Sequence, residues 1–261
     1  MDISIIIPSY NEEKRIGPTL QRIADYMQTQ AYTYEVIVID NGNVDKTASI
    51  VLGFKDKIKN IKILHARSHG KGWAIKEGML KAEGKYRLYT DADNSTDIAQ
   101  LEDLLNAIKE GYDIAISSRK VEGALIQNPQ PKRRRLTSYL FSRLVNFIVP
   151  LGFKDTQNGF KLFTEEAALK IFPHQIIFYW AFDVEILALA QIFSLRVKEV
   201  PIVWIDDADS RMSLNGMVRM LFEVIFIRIN LWVNMYNKNE RRSPERLRDE
   251  MYSEKENRKE V

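Results

Sequence analysis

A chain of 261 residues that is 45% apolar is long enough to bury a sizeable core, which excludes disorder of the whole. It holds no cysteine and three histidines without paired spacing, so disulfides, thiolate chemistry and a zinc centre are excluded, and any metal must be held by oxygen. The net charge is only +3, with basic residues clustered at Lys132-Arg133-Arg134-Arg135 and Arg241-Arg242, a pattern that speaks against nucleic acid and for a local anion site or an anionic membrane surface.

The start, Met1-Asp2-Ile3-Ser4, has no basic region, long apolar stretch or small-residue cleavage site, the pattern of a cytosolic protein without a signal peptide. Elements then alternate in type. Ile3-Ser4-Ile5-Ile6-Ile7 and Glu35-Val36-Ile37-Val38-Ile39 are β-branched runs ending at turn residues, and helical periodicity follows them over 15–28 and 46–54. A third strand, Ile61-Lys62-Ile63-Leu64, leads to Gly70-Lys71-Gly72 and a helix over 73–82. A fourth, Tyr86-Arg87-Leu88-Tyr89-Thr90, delivers Asp91-Ala92-Asp93, and a helix over 98–109 and a strand over 113–117 complete the series. Such alternation predicts an α/β fold: a mostly parallel central sheet flanked by helices, binding its ligands at the carboxyl ends of the strands. Ser9-Tyr10-Asn11-Glu12, Asp40-Asn41-Gly42, His69-Gly70-Lys71, Asp91-Ala92-Asp93 and Ser118-Arg119 all follow strands, the placement expected of a nucleotide-type site.

Beyond Arg119 a Pro-broken basic loop over 128–135 precedes 136–149, where Ser138, Ser142 and Asn146 form a polar stripe. Asp155-Thr156-Gln157-Asn158-Gly159-Phe160-Lys161 comes next, then helices over 165–171 and 182–191 and a strand over 196–204. Residues 214–236 approach the length of a bilayer span, but Arg219, Glu223 and Arg228 interrupt them. Asn215, Arg219, Glu223, Asn230 and Asn234 share one helical stripe, which predicts an in-plane helix at a lipid interface, ahead of one packed on the sheet or on a partner. Residues 237–261 are densely charged and read as a solvated tail. The expected organisation is a main domain over 1–210, an interfacial helix over 211–236 and that tail, with no confident membrane span.

Asp91 and Asp93 carry the most chemistry. In extended backbone residues i and i+2 project to the same face, so both carboxylates converge beyond the end of the strand. The bland alternative is a solvated Asp-x-Asp turn before a helix cap. The chemical one is a divalent cation carrying a diphosphate, because Mg²⁺ prefers one or two protein carboxylates and takes its other oxygens from phosphate and water. Rival nucleotide chemistries lack their signatures. Pro8-Ser9-Tyr10-Asn11-Glu12 stands where a dinucleotide fold needs Gly-x-Gly-x-x-Gly, and Gly70-Lys71-Gly72 has neither the spacing nor the hydroxyl of a triphosphatase loop. Ser9 and Ser95 lie in no Gly-x-Ser-x-Gly elbow.

Ile5-Ile6-Ile7-Pro8-Ser9-Tyr10-Asn11-Glu12, Val36-Ile37-Val38-Ile39-Asp40, Gly70-Lys71-Gly72 and Asp91-Ala92-Asp93, in that order, resemble the inverting family-two glycosyltransferases with the GT-A fold. Ser118-Arg119, the basic cluster, the Asp-x-Gln-x-Gly-Phe-Lys pattern ending at Lys161, Phe182-Asp183-Val184-Glu185 and Glu199-Val200-Pro201 are similar to the polyprenyl-phosphate branch, above all to dolichyl-phosphate glucose and mannose synthases. The resemblance runs over 3–204.

It implies metal-dependent inverting transfer of a hexose, glucose ahead of mannose, from a nucleoside diphosphate sugar, UDP-glucose ahead of GDP-mannose, to dolichyl or polyprenyl phosphate. The protein would sit peripherally on the cytoplasmic side of a membrane. Pro8, Tyr10 and Glu12 would line the nucleotide pocket, with Asp40 and Asn41 near the base and Lys71 beside the nucleotide. Asp91 and Asp93 would hold Mg²⁺ or Mn²⁺, with Ser95 as a further polar contact. Arg119 and one or two of Arg133, Arg134 and Arg135 would grip the acceptor phosphate, which makes Asp91, Asp93, Arg119 and Arg134 the expected catalytic set and Arg133 a binding residue. Asn41 replaces the common second Asp and leaves the base open; Asn43 replaces a Ser, and Asn158 stands where the glucose-type synthases usually show a cysteine. An ionised phosphate acceptor needs no strong base, so the arginines are expected to activate it by positioning, with Asp155 as base only if the acceptor is a sugar. Two other readings stand beside this one: a soluble transferase acting on saccharide or protein hydroxyls, and a non-catalytic membrane adaptor that binds nucleotide sugar.

Overall fold

Nine strands and eight α-helices are present among the described residues, and the order of the strands is what creates a crevice. The computed structural model describes residues 1–127, 132–205 and 214–236, those at 132–136, 138, 214 and 215 by backbone alone. The strands are β1 (Ile3–Ser9), β2 (Tyr34–Asp40), β3 (Ile61–His65), β4 (Tyr86–Thr90), β5 (Ile114–Ser118), β6 (Leu125–Gln127), β7 (Phe160–Thr164), β8 (Val197–Pro201) and β9 (Val203–Ile205). The helices are α1 (Ile16–Met27), α2 (Thr47–Leu52), α3 (Lys71–Lys81), α4 (Leu101–Lys109), α5 (Lys132–Ile148), α6 (Glu165–Ile171), α7 (Phe182–Ile192) and α8 (Leu214–Trp232).

The main sheet has the order β3-β2-β1-β4-β7-β5-β8, parallel throughout except for β7. From β1 the chain winds outward to β2 and β3 on one side and returns to β4 on the other, so the order reverses at β1/β4. That reversal leaves an open crevice at the carboxyl ends of these two strands.

Alternation along each strand divides its apolar residues between two cores. Ile3, Ile5 and Ile7 of β1 meet Ile16, Leu20 and Ile23 of α1, while Ile6 and β2's Ile37 and Ile39 meet Ala74, Ile75 and Met79 of α3. Burial on both faces is why these strands read as nearly unbroken apolar runs.

The structure departs from the sequence reading in several places, among them α5, which already includes 132–135 read as loop, and β6, which was not expected. β7 lies where only a motif followed by a helix was expected, inserted antiparallel between β4 and β5. The strand expected over 196–204 is two strands. β8 ends at Pro201, which has no N–H for the ladder, and β9 then pairs with β6 in a separate two-stranded ribbon. α3 begins two residues early, so Lys71 opens the helix instead of lying in the loop before it.

On α8 the orientation differs from an ordinary surface helix. Met220, Val224 and Ile227, with Tyr236 beyond the helix, are buried in the larger core. Arg219 and Glu223 pack against the chain at 179–181, and Asn230 is buried. The open face carries Val218, Phe222, Ile225, Phe226, Ile229 and Trp232, the last 85% exposed. Glu223 and Asn230 of the polar stripe therefore turn toward the protein, Arg219 and Asn234 stay exposed, and apolar residues cover the rest of the open face. No helix among the described residues is long and apolar enough to cross a membrane. The Asn215 side chain and the 237–261 segment lie outside the described residues.

Candidate active site

Asp91 and Asp93 leave β4 at the edge of the crevice. The Asp91 N–H donates to the Gly159 carbonyl (3.1 Å), and the Ala92 carbonyl accepts from the Thr19 hydroxyl (2.7 Å). Asp93 Oδ1 accepts from the Ser95 N–H at 3.0 Å, while the Ser95 carbonyl is tied to β9 through Ile205. Lys71 Nζ lies 2.5 Å from Asp91 Oδ1. Burial opposes charge on Lys71, but Asp91, Asp183 and Asp93 outweigh it and raise its pKa. Burial and the neighbouring Asp91 instead push the Asp93 carboxyl up from its ordinary value. Two carboxylates with that mutual repulsion form a site short of positive charge, which suits a divalent cation. Among the described residues no three His, Asp or Glu side chains cluster into a self-sufficient cage, so a cation here needs oxygens from a ligand such as a diphosphate.

The loops after β1 and β2 are braced against each other. Asp40 Oδ1 accepts from the Gly42 and Asn43 N–H groups (2.9 and 2.7 Å), and its Oδ2 lies 3.0 Å from His65 Nδ1. Asn43 joins the loops after β1 and β2: its Oδ1 accepts from the Asn11 N–H at 2.6 Å and its Nδ2 donates to Ser9 Oγ at 3.0 Å. Asn11 holds φ +55°, a left-handed conformation that asparagine tolerates. Asn41 accepts from the Gly70 N–H at 3.2 Å, which links the β2 loop to the turn carrying Lys71. Glu12 is paired with Arg15 at 2.6 Å, and Tyr10 is 54% exposed at the rim beside Pro8.

Arg119, just past β5, is gripped by Asp155 in bidentate fashion, Nε to Oδ2 at 2.6 Å and Nη2 to Oδ1 at 2.8 Å, and lies 5.1 Å from the ring centre of Trp204. Glu199 supports the pair from below, accepting from the Asp155 N–H and the Ser118 hydroxyl, both at 2.9 Å. Burial works against the Asp155 charge, yet the adjacent guanidinium holds its carboxyl well below the usual carboxylate range. A carboxylate so strongly held in its ionised form has little basicity to offer at neutral pH. The side chains of Arg133, Arg134 and Arg135 lie outside the described residues.

The sequence reading missed two contacts made by the motif at 155–161. Lys161, on β7 opposite Tyr89 of β4, is fully buried; its Nζ donates to Asp183 Oδ1 (2.5 Å), the Asn158 carbonyl (2.6 Å) and the Tyr89 hydroxyl (2.8 Å). Burial lowers its pKa, although Asp183 opposes the shift. Gly159 faces Asp91 so closely that a Cβ would stand 2.1 Å from Oδ2. Phe160-Lys161-Leu162-Phe163 is buried throughout and shows no period-two alternation, so the sequence carried no local signal for this strand.

With these groups around one crevice, comparison with known proteins becomes informative. The family model for glycosyl transferase family 2 matches residues 4–172, more than half of the chain. The chain belongs to glycosyl transferase family 2. This family 2 transferase is 38% identical over 245 residues to a dolichyl-phosphate beta-glucosyltransferase of Trichomonas vaginalis, spanning 88% of this chain and 72% of that one. It is 35% identical over 245 residues to the dolichyl-phosphate beta-glucosyltransferase of Homo sapiens, spanning 87% and 75%. Among solved structures, glucosyl-3-phosphoglycerate synthase from Mycobacterium tuberculosis with Mn²⁺, UDP and glucosyl-3-phosphoglycerate superposes on this transferase with a TM-score of 0.66. The two are 16% identical, over 88% of this chain and 79% of that one. The same synthase with Mg²⁺ and UDP gives 0.67 at 16% identity, over 88% and 78%. At that identity the likeness establishes the GT-A-type fold of the family 2 transferase.

Proposed function

We propose that this glycosyltransferase moves glucose from UDP-glucose to dolichyl phosphate, with inversion at the anomeric carbon, at the cytoplasmic face of a membrane. The reading is supported by relatives of that name at 33–38% identity along most of the chain. The observation that carries it is the Arg119–Asp155 pair: the carboxylate beside the arginine read as the acceptor's is held ionised and committed to it, which suits a phosphate already bearing its charge and not a hydroxyl that must lose a proton.

Each residue then has a task. Asp91 and Asp93 would hold Mg²⁺ or Mn²⁺ together with the donor diphosphate, and the Ser95 N–H fixes Asp93 for that task. The cation, when bound, supplies Lewis-acid stabilisation of charge on the leaving diphosphate. Lys71, kept protonated by three carboxylates, adds positive charge on the same side and exchanges Asp91 for phosphate as the donor arrives. Pro8, Tyr10, Glu12, Asp40 and Asn41 line the nucleoside side. Arg119 keeps Nη1 for the acceptor phosphate, since Nε and Nη2 are spent on Asp155. Arg134, with Arg133 or Arg135, completes that grip from the start of α5, and the open apolar face of α8 rests on the lipid surface.

The test is transfer of radiolabelled sugar from UDP-glucose and, in parallel, GDP-mannose into organic-extractable lipid, with dolichyl phosphate, Mg²⁺ and an EDTA control. EDTA-sensitive glucose label in the lipid phase is the expected result. Donor hydrolysis without lipid label, or label from GDP-mannose alone, overturns it.

A further inference from the structure

Lys71 sits on a turn with no slack. Gly70 holds φ +123°, and a Cβ there would stand 2.2 Å from the Phe178 carbonyl oxygen. A Cβ on Gly72 would stand 2.7 Å from that of Phe182. The Gly72 N–H donates to the Phe178 carbonyl at 2.9 Å, Gln175 Nε2 donates to the Gly72 carbonyl at 3.0 Å, and the Phe178 ring meets Trp73 edge-on at 4.5 Å. Residues 175–182 are thus the wall against which the Lys71 turn is set.

That wall runs without regular structure from Gln175 to Ala181, and carboxylates hold several of its N–H groups. Glu185 accepts from Ile176 and Ile177 (3.0 and 2.8 Å). Glu223 Oε2 accepts from Trp180 and Ala181 (3.0 and 2.9 Å). Glu223 belongs to α8, remote in sequence from α3 and β4. Ala181 caps α7, so the Glu223 carboxylate also meets the positive end of the helix that bears Asp183. A groove of about 650 Å³, lined by Ile177, Tyr179, Val218, Phe222 and Glu223, separates wall and helix here. Shortening Glu223 therefore opens the groove and leaves the core packed.

We infer that Glu223 is a positioning residue for the donor site: through the 175–182 wall it sets the turn from which Lys71 reaches the donor diphosphate. The inference rests on the reading of Lys71 and Asp91 as donor residues. Charge-assisted hydrogen bonds are the stronger kind, so losing two of them lets the wall drift from Gly72. Arg119 and Asp155 stand on other elements and keep their geometry.

The test compares wild type, Glu223→Ala and Glu223→Gln, the last keeping an acceptor oxygen. Expected for Glu223→Ala is a rise of about tenfold in KM for UDP-glucose, with KM for dolichyl phosphate and vesicle flotation unchanged, the unfolding midpoint lower by only a few degrees, and Glu223→Gln restoring most of the loss. Wild-type kinetics in Glu223→Ala, a loss tracking only the folded fraction, or a change confined to the lipid KM overturns the inference. Calorimetric titration with UDP and Mn²⁺ separates it from the reading of the reaction. If wild type binds UDP but glucosylates no lipid, that reading fails, while about tenfold weaker UDP binding by Glu223→Ala still upholds the positioning role and equal binding refutes it.

Discussion

Replacing Gly159 by alanine adds one methyl group where the chain enters β7, and its consequences follow from distances. The new Cβ would stand 2.1 Å from Asp91 Oδ2 and 2.5 Å from Cγ. Gly159 is absent from the positive-φ residues, so alanine suits the backbone and the whole cost is this contact. Ordinary contact begins at about 3.4 Å, so the carboxylate must retreat by roughly 1 Å or more. It has two ways out. Moving the backbone would break the Asp91–Gly159 hydrogen bond, whereas rotating the side chain, which is 32% exposed, costs only an altered rotamer and the Lys71 ion pair. Rotation is cheaper, so stability should fall by about 1 kcal/mol. Activity is another matter, because a misplacement of roughly 1 Å at a reacting centre costs on the order of 100-fold, or about 2.7 kcal/mol of barrier. The assay is glucose transfer into lipid across a Mg²⁺ titration, alongside thermal unfolding. Expected are kcat/KM down about 100-fold, a higher metal requirement and a midpoint lower by only a few degrees. A folded Gly159→Ala enzyme within about threefold of wild type would refute the reasoning.

Other consequences follow from the charged groups. Asp93→Asn should cost about 100-fold or more in kcat while leaving the unfolding midpoint level or higher, because burial and Asp91 already disfavour charge there; EDTA-sensitive transfer at wild-type rate would refute it. Asp155→Asn strands Arg119 and should cost about 3 kcal/mol in urea unfolding, and adding Arg119→Met should return more than half of that; equal losses in single and double variants would refute it. Burial pushes the Glu185 carboxyl up to about 7, against an ordinary value of 4.5. Between those values the native state keeps a proton that the unfolded chain releases, so this group's contribution to stability falls as pH rises and levels off above about 7. The stability difference between wild type and Glu185→Gln should therefore shrink by up to about 3 kcal/mol from pH 4.5 to 7, and a difference constant with pH would refute it.

How far the sequence alone carried this picture can be seen element by element. β1 to β5 and the placement of Asp91 and Asp93 beyond a strand were legible, because strand periodicity, turn residues and βα alternation are local signals. The motif order that resembles family-two transferases was legible for the same reason. β7 was not: five residues joined to a following helix acquire strand character only by pairing with β4 and β5, neighbours distant in sequence. With β7 went the burial of Lys161 against Asp183 and the approach of Gly159 to Asp91. The stripe on α8 was equally plain in the sequence, but periodicity gives a helix two faces without saying which turns inward. Tertiary structure decided that, because the 175–181 wall brings N–H groups that need an acceptor, and Glu223 supplies it from the face that helical habit would have assigned to water.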